Sequence, residues 1–371
     1  MSRHSLGEGG LPPVYLGENQ SPEAGKMANP EASRCDMKKA LILYDRVVEE
    51  GGDPDQRDAL IQAEAVAQVL RELGWDSLEL SFSLDVAGFV KNIRSAGPEF
   101  VFNLVESVEG HGRLIHFAPA VMDVLGIPYT GSRTDALYVT SNKRMAKRRL
   151  EAAGLPTPRS FSEGDLQRAT FSLEGRYIVK STWEHASIGL GEASVVTPGD
   201  SLHLLGELKQ RRRSLGGDGF AEAFIDGREF NLSVLASREG PEVLPPAEMR
   251  FENYPPGKLK MVDYRAKWDE DSFESRHTKR SFCFRPSEGP LLKRLSGLAK
   301  ASWSLFDLRG YARVDFRVDD EGNPWVLEIN ANPCLSPDAG FMAAAGEAGL
   351  RYRWVVERIL QDSGICPKMT R

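Results

Sequence analysis

The chain has 371 residues, enough for two or three domains, with 41% hydrophobic and 27% charged residues, the balance of a soluble globular protein. A net charge of −6 argues against a nucleic acid or an anionic membrane as the main partner. No apolar run approaches the ~20 residues needed to span a bilayer, there is no signal-peptide core, and the four scattered cysteines (Cys35, Cys283, Cys334, Cys366) indicate neither a disulfide framework nor a zinc site, so a cytoplasmic location is expected.

Residues 1–37 are rich in Gly, Pro, Ser and Glu without periodicity and read as a disordered extension. KKALILYD, from Lys38, reads as a buried strand, followed by a Gly- and Pro-containing loop over 47–55. Residues 57–73 place Leu60, Ala63, Ala67 and Leu70 on one helical face, and Gly74 stops the helix. EFVFNLVES (99–107) reads as the second strand, 114–125 as a helix closed by Gly126, and IPYTGS as a short strand. This strand–helix alternation predicts a parallel sheet with both faces covered. A helix over 141–153 follows, ending at Gly154 and Pro156. The pattern then changes to hairpin-like strands (RYIVKS, EASVV, GFAEAFI, REFNLSVLA, EVLPPAEMR), as expected for antiparallel sheets with one covered face. Residues 255–285 are polar and aperiodic and read as a lid-like loop. The last helix is predicted near 351–360.

The strongest local signal is ARVDFRVDDEGNPWVLEINANP (312–333). Val314, Phe316 and Val318 alternate with Asp315, Arg317 and Asp319, then Trp325, Leu327 and Ile329 alternate with Val326, Glu328 and Asn330. If Asp319 and Pro324 close the turn, Asp315 lies opposite Glu328, with Asn330 further along the same face. Opposed like charges destabilise a strand pair, so a cation is expected between them. Two carboxylates and an amide oxygen suit a hard ion such as Mg²⁺ or Mn²⁺. The alternative is a solvated hairpin face, where Lys or Thr is expected opposite Asp. Lys180 ends the strand YIVKS and precedes a small-residue turn with Ser187, Gly189 and Gly191, which could wrap a phosphate. A solvated strand-end lysine is the alternative. Lys143 opens a helix, against the macrodipole unless an anion is near; a surface lysine explains it equally. Glu222-Ala223-Phe224-Ile225 and Glu229 flank Asp226-Gly227, placing backbone amides where an adenine could bond, or forming an ordinary hairpin.

In this order and spacing the signals resemble the ATP-grasp superfamily, in particular the D-alanine–D-alanine ligases. GIPYTGS (126–132), the Asn142-Lys143 helix start, AAGLPTP (152–158), YIVKS, AEAFIDGREF, EVLPP, DYRAKW (263–268) and ARVDF…VLEINANP carry the resemblance, over about 38–360. It implies an N-terminal doubly wound parallel-sheet domain and two α+β subdomains that sandwich ATP. The boundaries that follow are 38–135, 136–221 and 222–362, with a tail over 363–371. It also implies that Lys143 and Lys180 contact phosphates, that Ser187 lies in the glycine-rich loop, and that Glu222, Ala223 and Phe224 contact adenine. By the same pattern Glu229 binds ribose, Asp315, Glu328 and Asn330 hold magnesium, Arg313 stabilises a tetrahedral transition state, and Lys267 lies in a loop over the γ-phosphate. The implied activity is ADP-forming ligation of a carboxylate to an amine, both small molecules, through an acylphosphate. A homodimer is the implied assembly.

The chain departs from that pattern around the substrates. Glu106 stands near the position of a family histidine, Ala186 beside Ser187 at a serine, Trp268 at a tyrosine, Ala339 at a serine and Cys334 at a glycine. Glu106 suggests a cationic or amine-bearing group near that wall, with Glu109, His111 and Arg113 as further specificity candidates, and His185 as a possible phosphate or carboxylate contact. The expected substrates are therefore amino acids, or an amino acid and another amine, rather than two D-alanines. A true D-alanine–D-alanine ligase and a nucleotide-binding module without turnover are the alternatives.

Overall fold

The computed structural model describes residues 38–46, 54–168, 170–183 and 190–365. The expected N-terminal extension, the residues 366–371 of the expected tail, and Ser187 with its neighbours His185 and Ala186 lie outside them.

The N-terminal block contains β1 (Lys39–Asp45), α1 (Pro54–Glu72), β2 (Asp76–Phe82), α2 (Val86–Ala96), β3 (Phe100–Asn103) and α3 (Phe117–Leu125). Its sheet is parallel, in the order β2-β1-β3. The alternation along β1 is buried on both faces. Ala40 and Ile42 join a core with Val66 and Leu70 of α1, while Leu41 and Leu43 pack with Phe89, Ile93 and Met122. This corrects the expected strand count, because β2 and α2 lie between the first helix and EFVFN. DSLELSF is a half-buried edge strand, so its alternation is diluted by polar residues. IPYTGS contributes only one bridge, Val101 to Tyr129.

A further helix not read from the sequence, α4 (Thr134–Ser141), precedes the predicted 141–153 helix, which is α5 (Lys143–Ala152). Asn142 breaks the run and caps α5, its side chain accepting the Met145 N–H at 2.9 Å. Next come β4 (Ser160–Ser162), α6 (Glu163–Gln167), β5 (Tyr177–Ser181), β6 (Val195–Val196), α7 (Ser201–Arg211) and β7 (Gly219–Ala223). They form an antiparallel sheet, β4-β7-β5-β6, whose core holds Leu166, Val179, Leu204, Leu208 and Ala221. β7 spans the expected 221/222 boundary, so Glu222 and Ala223 pair within this sheet.

The remainder holds β8 (Arg228–Leu235), β9 (Glu242–Val243), β10 (Ala247–Phe251), α8 (Tyr264–Trp268), α9 (Phe273–His277), β11 (Thr278–Ser281), α10 (Gly289–Leu305), β12 (Tyr311–Val318), β13 (Pro324–Asn330), α11 (Gly340–Glu347) and α12 (Tyr352–Asp362). The strands form a six-stranded sheet, β11-β10-β8-β12-β13, with β9 paired to β8. The predicted 255–285 loop is more ordered than expected. α8 and α9 are each started by a capping side chain, Asp263 on the Ala266 N–H and Ser272 on the Ser275 N–H, and β11 pairs with β10. Ile365, in the expected tail, packs in the core shared by α1, α11 and α12.

Asp226-Gly227 does not close a hairpin. β7 and β8 belong to different sheets, and this turn carries the chain between them. Gly227 has φ 122° and a side chain there would meet the Val318 carbonyl oxygen, so only glycine fits the crossing.

Candidate active site

The β12–β13 hairpin places Asp315 directly opposite Glu328, and Arg313 opposite Asn330. A bulge at Leu327 produces this register. Below it Phe316 pairs with Val326 and Val318 with Pro324; above it the pairing moves by one residue. The bulge also changes the expected faces. Val326 and Ile329 both point into the core, while Leu327, Glu328 and Asn330 remain partly exposed.

The expected cation beside the two acids is present as protein side chains. Arg313 donates to Asp315 through Nε at 2.7 Å and a second guanidinium nitrogen at 2.9 Å, and Asn231 of β8 donates to the same carboxylate at 2.8 Å. Lys143 Nζ lies 3.4 Å from Glu328 Oε1. Burial works against the Arg313 charge, but Asp315 outweighs it and Glu328 and Glu106 add, so its pKa is raised. Lys267 of α8 opens onto the same cleft. Crowding and the Arg313 charge lower its pKa, partly offset by Asp315, Glu328 and Glu229. The hairpin thus gathers Arg313, Lys143 and Lys267 around Asp315 and Glu328. Asn330 accepts the Asn332 N–H at 3.0 Å. Among the described residues no cluster of three or more His, Cys, Asp or Glu side chains is poised for a metal. The donor set of two carboxylates and an amide instead fits a hard cation that completes its shell with phosphate oxygens.

A pocket between the two antiparallel sheets is lined by Ile178, Lys180, Glu222, Phe224, Met261 and Leu327, with Ala223 and Glu229 beside them. Glu222 is buried between two lysines, each Nζ 2.5 Å from one of its oxygens: Lys180 of β5 and Lys147 of α5. Burial opposes its charge, but the two lysines outweigh that and hold its carboxyl below the usual range. The N–H groups of Ala223 and Phe224 are bonded to the Arg159 and Arg176 carbonyls. A base would therefore meet this linker through carbonyl oxygens and the Phe224 ring. Glu229 pairs with Arg317 at 2.9 Å and accepts the Val262 N–H at 3.3 Å. Arg317 also binds the Ile225 and Lys260 carbonyls, which ties the linker to the region over the pocket.

Glu106, in the loop after β3, lies within electrostatic reach of Arg313. Its N–H donates to Asp45 at 2.7 Å, Ser107 Oγ donates to the other Asp45 oxygen at 2.6 Å, and Gln62 donates to Glu106 Oε1 at 3.2 Å. Burial and the neighbouring Asp45 push its carboxyl up to about 8, with Gln62 and Arg313 pulling back. Cys334 sits near it as a neutral thiol, pushed up to about 12 by burial and by Glu106. Three bonds join this loop to the N-terminal block: Asn332 to the Val105 carbonyl at 2.8 Å, the Leu335 N–H to Gln62 at 3.0 Å, and Ser336 to the Asp58 carbonyl at 3.2 Å.

A proton linkage follows from Glu106. Its native pKa of about 8 lies above the ordinary 4.5. The folded chain keeps a proton there that the unfolded chain releases, so this group makes stability fall as pH rises from about 4.5 to about 8, levelling above. In Glu106→Gln that component disappears. Calorimetric Tm measured from pH 5 to 9 should fall less in the variant than in the parent; identical slopes would contradict the assignment.

Several site residues had no signal in the motif pattern. Lys147 lies one helical turn after Lys143 on the same buried face, and that i,i+4 lysine pair was the available clue. Asn231 reaches Asp315 only because β8 pairs with β12, and Arg317 reads in sequence as one of the alternating polar positions.

Two antiparallel sheets meeting over lysines on one side and paired acids on the other define an ATP-grasp fold. The family described as D-ala D-ala ligase C-terminus matches residues 168–361. A D-alanine–D-alanine ligase of Chromohalobacter salexigens is 30% identical, over 90% of this chain and 96% of its own length. One from Moorella thermoacetica is 29% identical over 87% and 98%, and an uncharacterised Sinorhizobium fredii protein, y4sG, is 28% identical over 80% and 86%. The fold is that of the Bacillus anthracis D-alanine–D-alanine ligase solved with ATP (TM-score 0.64, 17% identity, 88% of this chain and 97% of that one). The chain belongs to the D-alanine–D-alanine ligase family and is an ATP-dependent, ADP-forming carbon–nitrogen ligase. No described helix is long and apolar enough to cross a membrane.

Proposed function

We propose that this ligase activates an amino-acid carboxylate and joins it to the amine of a second amino acid or another small amine. The observation that carries the reading is the meeting of Asp315, Glu328, Arg313, Lys143 and Lys267 in one cleft beside the Lys180–Glu222 pocket. Adenine would lie against Phe224, Ala223 and Glu222, with ribose near Glu229. Lys143 and Lys180 would face the phosphates, and Lys267 the transferring group. Asp315, Glu328 and Asn330 would hold Mg²⁺ or Mn²⁺, which when bound neutralises phosphate charge.

In the first step a carboxylate oxygen forms a bond to the γ-phosphorus while the bond to the β,γ-bridging oxygen breaks, releasing ADP. In the second, the amine nitrogen bonds the acyl carbon, phosphate leaves, and the nitrogen loses a proton. Arg313 is positioned for the charge that builds on the acyl oxygen, since Asp315 fixes its guanidinium plane at two points. Lys143 and Lys267 supply charge where the phosphoryl group passes. α8, which carries Lys267 and packs on α9, would help to keep water from the acylphosphate. Glu106 holds a proton at neutral pH in this structure, so it would favour a substrate ammonium there only by giving that proton up.

The names of the relatives favour a second reading, D-alanine as both substrates. One assay decides between them. Phosphate release from ATP is followed with single amino acids and pairs in both hands, and products are weighed by mass spectrometry. Release that requires an added amino acid, with a mixed product, supports the proposal; a dipeptide from D-alanine alone establishes the second reading. No release with any combination overturns both.

A further inference from the structure

Glu222 is a buried carboxylate held by two lysines in unlike surroundings. It lies on β7, paired with Ile178 of β5, so Lys180, two residues along β5 on the same face, reaches it across the diagonal. Lys147 reaches its other oxygen from α5. Each ammonium nitrogen is 2.5 Å from the carboxylate. The cluster therefore holds two cations for one acid, one more than neutralising that acid requires.

The two lysines differ in what else they can do. Lys147 is sealed in. It is 1% exposed, its Nζ also donates to Thr157 Oγ1 at 2.9 Å, and that hydroxyl donates to the Val326 carbonyl at 2.8 Å. The Glu222 oxygen that it meets is itself closed to solvent. Lys180 is 15% exposed and lines the pocket with Phe224, Met261 and Leu327, and Glu222 is its one partner among the described residues. Moving Lys147 would break a chain of bonds that runs to β13. Moving Lys180 would break one contact and carry the ammonium into the pocket.

A buried carboxylate does not release its last cation readily, because an unpaired charge away from water is strongly disfavoured. With Lys180 as sole counter-ion, a nucleotide phosphate could take that lysine only by stranding Glu222. With Lys147 in place the acid stays paired when Lys180 leaves. We propose that Lys147 is a positioning residue for nucleotide binding: it is the permanent counter-ion of Glu222, and so frees Lys180 to pass from that acid to the phosphates of ATP. The inference rests on the placement of ATP in the reading above, and not on the identity of the carboxylate and the amine. Before the nucleotide arrives Lys180 is stored on Glu222, and its departure leaves one lysine on one acid.

The test uses the full chain and needs no amino acid. Binding of ATP with Mg²⁺ is measured by calorimetry for the parent and for variants whose melts show them folded. Lys147→Met should raise the Kd for ATP about tenfold, within the usual range of coupling between two sites. On a Glu222→Gln background the amide has no charge with which to hold Lys180, and the same Lys147→Met change should alter the Kd by less than about twofold. A loss that came only from disturbed packing would be as large on both backgrounds. An unchanged Kd in folded Lys147→Met, or an equal loss with Glu222→Gln, overturns the proposal. A crystal structure of the parent with ATP gives a check that does not depend on a variant folding. Lys180 Nζ should have moved to a phosphate with Lys147 still on Glu222; both lysines remaining on Glu222 would overturn the proposal. Lys180→Met separates this inference from the reading it rests on. If that variant binds ATP as the parent does, the placement of the phosphates fails, and this inference with it. If it weakens ATP while Lys147→Met does not, the placement stands and this inference alone fails.

Discussion

On the proposed metal role of Asp315, Asp315→Asn should lower kcat by on the order of a thousandfold, because a bound divalent cation supplies several kcal/mol of charge stabilisation and each 1.4 kcal/mol is tenfold in rate. The substitution keeps the shape of the side chain and its hydrogen bond with Asn231, while removing the charge that faces Glu328 and pairs with Arg313. Arg313 stays in range of Glu328 and Glu106, so the fold should survive. The check is amino-acid-dependent phosphate release at saturating ATP, alongside a thermal melt. A folded variant with unaltered turnover would falsify the assignment of the two acids. Glu328→Gln should behave in the same way, and raising the Mg²⁺ concentration should partly restore either variant, since a weakened site refills by mass action.

The second large effect is on stability. Glu222→Ala is expected to cost about 3–5 kcal/mol, because it leaves two lysines facing one another in a buried site with no anion between them. Lys147→Met should cost less, since Glu222 keeps Lys180 and the methionine fills similar volume. The relevant comparison is loss of one partner, not of the triad: replacing all three groups with apolar side chains can be neutral. Urea denaturation of the two variants measures the difference. A Glu222→Ala chain as stable as the parent would show that the lysines find solvent or another acid.

The hairpin was the most legible part of the chain because its information is local. Alternation, a glycine-containing turn and two acids at a fixed spacing are all within 22 residues, and the observed Asp315–Glu328 opposition matches the register read from them. What alternation could not show is how that register arises. A one-residue bulge at Leu327 leaves no compositional mark, yet it turns Val326 into the core and Leu327 towards the nucleotide pocket. Lys180 and Glu222 were each legible as strand residues, but their contact depends on β5 pairing with β7, and the third member, Lys147, comes from a separate helix. β2 and α2 went unread because an edge strand with one wet face carries half the apolar signal of a central one. The region 255–285 lacked periodicity because its helices are five residues each, too short to repeat a face.

The way the cores are shared determines which part of the molecule can act as a jaw. α1 and β1 pack into the same apolar core as α11, α12, Leu235 and Tyr311, and Asn332, Leu335 and Ser336 fasten the loop after β13 to that block. These two regions form an anvil that cannot part without exposing its own interior. The small β4–β7 sheet has a separate interior and is tethered mainly by polar links, such as Lys147 to Glu222, Arg144 to Asp165 and the Val326 N–H to the Pro156 carbonyl. Of the three parts, the β4–β7 sheet is therefore the one whose displacement would expose no shared apolar interior.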